Sequence, residues 1–344
     1  MSESVTCRRE TTPFAGNRRA ELWRMEDARH GIRLAVLPAG GGEIVSWQVR
    51  LGARWHEVLY RAMDFTSTPP DGWDGRAPLL WPCAGRSFTP ARLAAWRRTG
   101  RKPRRNSFIA GGREFAIPGH GFARHAAWSL EEYGYGVDEA WLKLSLRSDA
   151  ATRAQYPFDF TASVLYTLTG GAVRLRYEVQ AGANARPMPF TIGNHISFNL
   201  PFTGRGKFED CSIRSSANTI LHQNKLCLLS GERTPVDLSR PQPLSRTELC
   251  DTAFGGLRHG RAWFELRDPR AFTLRVTHRE STPGGCLASD GNLLFVTWGT
   301  PVYRYFCPEP WIGLPNGLND PRGCVSLPPG KRFVWYIGFE VMVP

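Results

Sequence analysis

The sequence predicts a single large all-β domain, an antiparallel β-sandwich, and three observations support this fold class. Hydrophobic and polar residues alternate at period two in several segments. Glycine and proline are abundant (35 and 26 of 344 residues), and no amphipathic helix longer than about three turns is visible. Predicted strands recur at intervals of about 8–15 residues from residue 32 onward, with neither a linker nor a fixed repeat between them. We therefore predict one domain over residues 26–344, preceded by an N-terminal extension over residues 1–25.

Glycine pairs mark two predicted hairpins. Segment 108–117 reads FIAGGREFAI, and Gly170-Gly171 separates an alternating run at 158–168 from a second run at 173–179. Glycine supplies the positive φ angles that a two-residue hairpin turn requires. Both segments are therefore predicted to form β-hairpins.

Four further segments are predicted to be strands. Alternation marks three of them, at 140–146, 272–276 and 333–341. The fourth, 293–298, is apolar except for Thr297 and is flanked by Gly291-Asn292 and Gly299. A short apolar run between turn residues is typical of a strand buried on both faces.

Composition excludes several classes of protein. Hydrophobic residues make up 42% and charged residues 22% of the chain, which is ordinary for a globular protein and excludes wholesale disorder. No run of about 18 apolar residues exists, and the N-terminus lacks the apolar region of a secretory signal, so we expect a cytoplasmic protein. The eight cysteines form no C-x-x-C pair, so we expect reduced, mostly buried thiols.

Charge is concentrated in one segment. The net charge is +13, and residues 92–105 (RLAAWRRTGRKPRR) contain seven basic side chains and no acidic one. The structural interpretation is a solvated surface loop. The functional alternatives are a contact to the phosphate of a small substrate or to nucleic acid. Because arginine is frequent throughout the chain, a compositional bias explains the excess charge, and we favour the surface loop. We expect a small-molecule partner, and neither nucleic acid nor a membrane.

Four short motifs interrupt the strand pattern with residues that a core would not favour. They are WPCAGR at 81–86, HGFAR at 120–124, NHISFNLP at 194–201 and EPWIGLPN at 309–316. Each combines an ionisable or polar side chain with glycine, proline or aromatic neighbours. That composition is typical of loops and strand ends shaped around a ligand.

The last three motifs, in this order and at these separations, resemble those of the aldose 1-epimerases (galactose mutarotase family), with a leaning toward the hexose-6-phosphate mutarotases. The resemblance covers residues 30–343 and implies the large galactose mutarotase-type sandwich (supersandwich). It also implies an isomerase without metal or redox cofactor, which interconverts the α and β anomers of a hexose or hexose phosphate. Ring opening and closure of this kind need one general base and one general acid.

The resemblance assigns roles to individual residues. Glu309 matches the catalytic base of the family and His195 its catalytic acid. Five more residues are predicted to contact the sugar: His120, Arg86 and Asp251 by the resemblance, and Trp311 and Phe122 as aromatic walls for its C–H faces.

Two departures from the family pattern stand out, and two alternative functions stay open. Ile196-Ser197 follows the acid histidine where many relatives have Pro-Tyr or Pro-Ala, and the basic stretch resembles an insertion at about 90–106. One alternative is a β-sandwich that binds carbohydrate without turnover. The other is a zinc site built from His120, His195 and Glu309. No visible feature predicts an oligomeric state.

Overall fold

The structure, a computed structural model, describes residues 5–14, 18–61 and 73–343. Within these ranges the chain forms 26 strands and two α-helices. The strands are β1 (Val5–Phe14), β2 (Arg18–Asp27), β3 (Ile32–Leu37), β4 (Glu43–Leu51), β5 (Arg54–Glu57), β6 (Leu79–Leu80), β7 (Ser107–Ala110), β8 (Arg113–Ala116), β9 (Ser129–Tyr135), β10 (Glu139–Arg147), β11 (Phe160–Thr169), β12 (Ala172–Ala181), β13 (Met188–Phe190), β14 (Ile192–Asn194), β15 (Phe198–Asn199), β16 (Ser212–Ser215), β17 (Thr219–Gln223), β18 (Leu229–Pro235), β19 (Gln242–Pro243), β20 (Asp251–Gly255), β21 (Ala262–Arg267), β22 (Thr273–Glu280), β23 (Leu293–Thr300), β24 (Tyr305–Ile312), β25 (Val325–Leu327) and β26 (Arg332–Met342). The helices are α1 (Pro90–Thr99) and α2 (Ala150–Gln155).

Three antiparallel sheets account for most of these strands. The first has the order β1-β2-β3-β4-β5, and the nine-stranded second sheet has the order β19-β16-β21-β22-β26-β12-β11-β10-β9. The third has eight strands, in the order β18-β17-β20-β23-β24-β14-β6 with β15 paired to β24. Two-stranded ribbons β7-β8 and β13-β25 complete the set.

The three sheets share one hydrophobic core. The ring of Phe264 on β21 lies with its centroid 5.4 Å from Phe295 on β23 and 6.1 Å from Phe306 on β24, which joins the second sheet to the third. Trp47 on β4 packs edge-on against Phe339 on β26 at 5.4 Å, which joins the first sheet to the second. Packing of twisted sheets face to face buries the apolar side of each strand. The predicted fold class, a large antiparallel β-sandwich, is confirmed.

Both predicted hairpins are present. β11 pairs with β12 as far as Thr169, which lies opposite Ala172. The turn between them consists of Gly170 and Gly171 at φ +56° and +73°. β7 and β8 are joined in the same way through Gly111-Gly112. Two successive positive φ angles match the turn to the twist of the strands, which explains the glycine pairs.

Segment 293–298 forms the predicted strand, but the prediction that this strand is buried on both faces is wrong. Leu293, Leu294 and Phe295 are buried, but Val296 is half-buried and Trp298 is 43% exposed. The second half of β23 borders a cleft, so its side chains on that face are open to solvent.

The basic stretch is a helix followed by a short loop, not a loop throughout. Pro90 stands in the first turn of α1, where its fixed φ and missing N–H are tolerated, and Gly100 ends the helix in the left-handed conformation. Leu93 and Trp96 pack partly against a small buried cluster that includes Phe88. Because Leu93 and Trp96 are the only large apolar residues of α1, the segment lacks the periodicity that would have predicted a helix.

The first two strands extend the first sheet. The pairing of β1 with β2 runs from Val5 opposite Asp27 to Phe14 opposite Arg18. Trp23 and Met25 on β2 belong to the main core. The boundary at residue 25 stays a prediction.

All eight cysteines are free, and six of them are buried, while Cys227 and Cys286 are exposed. Of the helices in the described part of the chain, none combines the length and the apolar character needed to cross a membrane.

Candidate active site

A cleft of about 560 Å³ lies over one face of the third sheet. Adjacent strands β20, β23 and β24 provide Asp251, Trp298 and Glu309 on that face. Loops from the other side of the cleft provide His120 and Arg86. Rigid strands thus form the floor, and loops with glycine and proline form the walls, which is a common construction of binding sites.

A buried carboxylate–imidazole pair opens onto this cleft. Glu309 and His195 are only 1% and 8% exposed, and Glu309 Oε1 lies 3.2 Å from His195 Nε2. Trp311 Nε1–H donates to the other carboxylate oxygen at 3.1 Å. Burial raises the pKa of Glu309 well above its usual range; the Trp311 hydrogen bond opposes this effect and the charge of Asp251 adds to it. Glu309 is therefore a stronger base than an exposed glutamate.

His195 is fixed by the chain around it. It follows β14 directly, and its backbone N–H donates to the Pro78 carbonyl at 3.0 Å. A Cβ at Gly193 would lie 2.6 Å from the Trp311 ring, so this position in the NHISFNLP region accepts only glycine without rearrangement. Burial, with a smaller contribution from the charge of Arg124, lowers the pKa of His195 to about 3. The imidazole is neutral near pH 7, and its protonated form is a strong acid.

His120 is held by reciprocal hydrogen bonds to Gly85. The His120 N–H donates to the Gly85 carbonyl at 2.9 Å, and the Gly85 N–H donates to His120 Nδ1 at 3.2 Å. The ring centroids of His120 and His195 are 5.8 Å apart. Burial lowers the pKa of His120 well below its usual range, and the charges of His195, Arg124 and Arg86 act in the same direction.

Three arginines give the cleft a cationic wall. Arg86, Arg104 and Arg124 line it together with Asp251, whose pKa is raised by partial burial. Within the described ranges, the Arg86 and Arg104 side chains make no hydrogen bond or ion pair. Arg104 belongs to the segment after α1, so one residue of the basic stretch reaches the cleft.

The cleft also contains aromatic residues that the sequence did not predict. The Trp73 ring lies 5.3 Å from His195, and Trp298 Nε1–H donates to the Tyr305 hydroxyl at 2.6 Å. Nothing in the sequence around Trp73 indicates a binding site. The apolar character of β23 concealed Trp298, since a cleft-facing side chain and a core side chain look alike in a strand pattern.

The structure brings together six of the seven predicted site residues. Those that line the cleft are Glu309, His195, His120, Arg86, Asp251 and Trp311. Phe122 is 6% exposed, belongs to the main core and packs edge-on against Trp81 at 5.7 Å, so its prediction as a cleft wall is corrected. Its neighbour Arg124 does line the cleft; the HGFAR motif contains it, but the family resemblance assigns it no role.

The structure brings together a set of possible zinc ligands that differs from the one predicted from the sequence. Among the described residues, the buried group whose ligand atoms all lie within 4.8 Å of one another consists of His195, Cys307 and Glu309. His120, which the alternative includes, is not part of it.

Comparison with known proteins places the chain in a family. A family model described as aldose 1-epimerase matches residues 25–332. The plasmid-encoded LacX protein of Lactococcus lactis subsp. lactis is 27% identical over 282 residues, which are 81% of this chain and 85% of LacX. Human galactose mutarotase is 29% identical over 202 residues, which are 52% of this chain and 56% of that protein.

Solved structures show the same fold. A galactose mutarotase-like protein from Clostridium acetobutylicum superimposes with a TM-score of 0.73 at 15% identity, and the match covers 100% of both chains. The Slr1438 protein from Synechocystis sp. PCC 6803 gives 0.71 at 23% identity, with 100% of this chain and 99% of that chain covered. The family match extends over nearly the whole chain and includes every residue of the buried pair and the cleft described above. The chain belongs to the aldose 1-epimerase family, and its activity is that of an isomerase of the mutarotase class.

Proposed function

We propose that this protein interconverts the α and β anomers of an aldohexose by acid–base ring opening, with Glu309 as the base and His195 as the acid. The observation that carries the proposal is the buried 3.2 Å contact between these two side chains at the floor of the cleft. In the reactive form the single proton of the pair is on His195 and Glu309 is ionised. The C1 hydroxyl proton then passes to Glu309, the C1–O5 bond breaks with its electron pair on O5, and the imidazolium of His195 gives O5 its proton. Rotation about the C1–C2 bond and the reverse transfers close the ring on the other face.

The remaining cleft residues position the sugar. His120, Arg86 and Asp251 offer donors and an acceptor to its hydroxyls, and the Trp311 ring borders the reacting pair. Because mutarotation needs only two proton transfers at one carbon, orientation and acid–base assistance supply the rate.

The decisive experiment follows the relaxation of freshly dissolved α-D-glucose and α-D-galactose by polarimetry or exchange NMR. We expect wild type to accelerate relaxation and Glu309→Gln to lose about 10²–10⁴-fold, the usual contribution of one acid–base group. Glu340→Gln, at an exposed position of β26, is the matched control and should behave as wild type. Full activity in Glu309→Gln contradicts the assignment, and sugar binding without acceleration by wild type supports a carbohydrate-binding protein instead.

The finer proposal is that the hexose carries a phosphate. Arg86 and Arg104 line the cleft without a protein partner for their guanidinium groups among the described residues. Arginine pairs with phosphate oxygens through two parallel hydrogen bonds, so two such side chains can hold a phosphate ester. The carboxyl groups of the cleft, Asp251 and Glu309, are outnumbered by three arginines.

A matched pair of variants tests the phosphate. Arg104→Gln should lower kcat/KM for glucose 6-phosphate by about tenfold or more, the value of one charge-assisted contact, and leave glucose unchanged. Arg101→Gln removes an equal charge from an exposed position of the same segment that does not line the cleft. Equal losses in both variants would mean that general surface charge, not a phosphate contact, is responsible.

A further inference from the structure

The buried acid–base pair has a third polar neighbour, the thiol of Cys307. Residues 305, 307, 309 and 311 of β24 alternate to one side of the strand, which puts Cys307 on the same side as Glu309. The thiol is fully buried, and its Sγ–H donates to Ser197 Oγ at 3.2 Å. Mutarotation as proposed above gives this thiol no task.

The three side chains have the composition of a zinc site. One ligand atom each from His195, Cys307 and Glu309 lie within 4.8 Å of one another. Two ligands bound at about 2.0–2.1 Å to a tetrahedral zinc are separated by roughly 3.3 Å. The observed 3.2 Å between Glu309 Oε1 and His195 Nε2 already matches one edge of such a tetrahedron.

Charge and access also favour a divalent ion. A thiolate, a carboxylate and a neutral imidazole sum to two negative charges, which a dication neutralises in a buried place where unpaired charge is costly. His195 and Glu309 line the cleft, so an ion reaches the group from solvent and a water or sugar oxygen can complete the coordination. Sulfur, nitrogen and oxygen donors together select zinc and its tetrahedral analogue cobalt over magnesium or calcium.

We propose that His195, Cys307 and Glu309 form an inhibitory site for Zn²⁺ and related thiophilic divalent cations. On binding, the Cys307 thiol releases its proton to solvent, as does any proton shared by Glu309 and His195. The metal then occupies the Glu309 lone pair that would accept the C1 hydroxyl proton and the His195 nitrogen that would carry the proton given to O5. Metal binding and mutarotation therefore exclude each other. The inhibition rests on the proposed function, whereas the binding does not.

A second metal-capable group provides the natural control. His259, Glu280 and Cys286 also bring their ligand atoms within 4.8 Å of one another. The Glu280 carboxylate already accepts hydrogen bonds from the Thr282 hydroxyl and the Leu287 and Ala288 backbone N–H groups, so it holds its own loop without a metal. Cys286→Ser removes this group and leaves the cleft intact.

The test measures binding and inhibition separately. Co²⁺ added to wild type should produce the visible absorption of a tetrahedral complex and a near-ultraviolet thiolate charge-transfer band. Both should persist in Cys286→Ser and in Cys227→Ser, which removes the exposed thiol on the cleft wall. In Cys307→Ser the charge-transfer band should disappear. A thiolate band lost in either control and kept in Cys307→Ser overturns the site, as does a wild-type spectrum without one.

Inhibition is then measured by mutarotation with Zn²⁺ and with EDTA. Zn²⁺ should inhibit wild type reversibly, and Cys307→Ser, with normal activity in EDTA, should need at least about 10- to 100-fold more Zn²⁺, since even outer-shell partners of a metal are worth that much. Cys307→Ala, checked by its melting temperature, repeats the test if the serine variant is unstable. A thiolate–cobalt band without inhibition would refute the inhibitory role, and equal Zn²⁺ sensitivity in all variants would refute the site. A protein without mutarotase activity that still shows the band would refute the proposed function alone.

Discussion

Two carboxyl groups, Glu43 and Glu309, are buried to nearly the same degree (2% and 1% exposed) but face different partners. Glu43, at the start of β4, has Oε1 3.0 Å from the Nε of Arg76, which is also buried. Glu309 faces the imidazole of His195 at 3.2 Å. Arginine keeps its charge at every accessible pH, whereas histidine readily gains and loses a proton.

The comparison shows what converts a buried charge into a reactive one. Glu43 lies against Arg76, a partner that does not exchange its proton, and neither side chain lines the cleft. Glu309 and His195 can share a proton, and both border a space large enough for a sugar. Burial raises the pKa of both carboxyl groups, so the partner and the access, not the burial, distinguish the two sites.

The largest expected effect comes from replacing His195, the partner of Glu309 that can gain and lose a proton. We expect His195→Asn to reduce mutarotation by about 10²–10⁴-fold, because it deletes one of two proton-transferring groups. The change is measured as the first-order relaxation of α-D-glucose at several enzyme concentrations. A variant within a few-fold of wild type would show that the imidazole contact is structural, like the Arg76 contact of Glu43.

The second effect concerns stability rather than rate. Burial raises the pKa of Glu43 to about 7, although the charges of Arg76 and Arg124 oppose this increase. A carboxyl group with a raised folded-state pKa stabilises the fold below its unfolded-state pKa, near 4.5, and this contribution is lost as the pH rises through 7. The difference between the folded-state and unfolded-state pKa values corresponds to a loss of about 3 kcal/mol in the free energy of unfolding.

The variant Glu43→Gln carries an amide in place of the carboxyl group, and this amide does not titrate. We therefore expect the free energy of unfolding of wild type to fall relative to that of Glu43→Gln as the pH rises from below the unfolded-state pKa, near 4.5, to above the folded-state pKa, about 7. Urea unfolding of both proteins at the two pH values measures the difference. A difference that stays constant with pH would mean that folding does not shift the pKa of Glu43, and a difference that changes in favour of wild type as the pH rises would mean that the charge of Arg76 outweighs burial.

How far the sequence predicts this molecule depends on whether a feature is local. The Gly170-Gly171 hairpin was predictable because the turn and its two strands are adjacent in the chain. The pairing of His195 with Glu309 was predictable only through the family motifs, since 114 residues separate them and the sheet order β24-β14 brings them together. Trp298 was misjudged because an apolar strand pattern does not tell whether a side chain meets the core or the cleft. Phe122 was misjudged because a loop motif places a residue near a site without fixing the direction of its side chain.

The smallest expected effect is a shift in the pH dependence of kcat/KM, and it tests the acid–base assignment. The pair carries one proton between the lowered pKa of His195 and the raised pKa of Glu309, and activity falls on the alkaline side when that proton leaves. The charge of Asp251 raises the pKa of Glu309, so Asp251→Asn should move the alkaline limb of kcat/KM to lower pH.

Trp311→Phe should move the same limb to higher pH, because the indole hydrogen bond lowers the pKa of Glu309. Profiles of kcat/KM against pH for the two variants and wild type measure both effects. Movement of the limb in the same direction in both variants would show that it reports another group.

The bond from the Gly85 backbone to the His120 ring fixes which tautomer of that imidazole the cleft presents. Because Nδ1 accepts the Gly85 N–H at 3.2 Å, a neutral ring carries its hydrogen on Nε2. His120 can then only donate toward a ligand, and the atom opposite must offer a lone pair. A methyl ether at that position of the sugar keeps the lone pair, whereas a deoxy sugar loses it, so the backbone of a single glycine determines which sugar derivatives the cleft can distinguish.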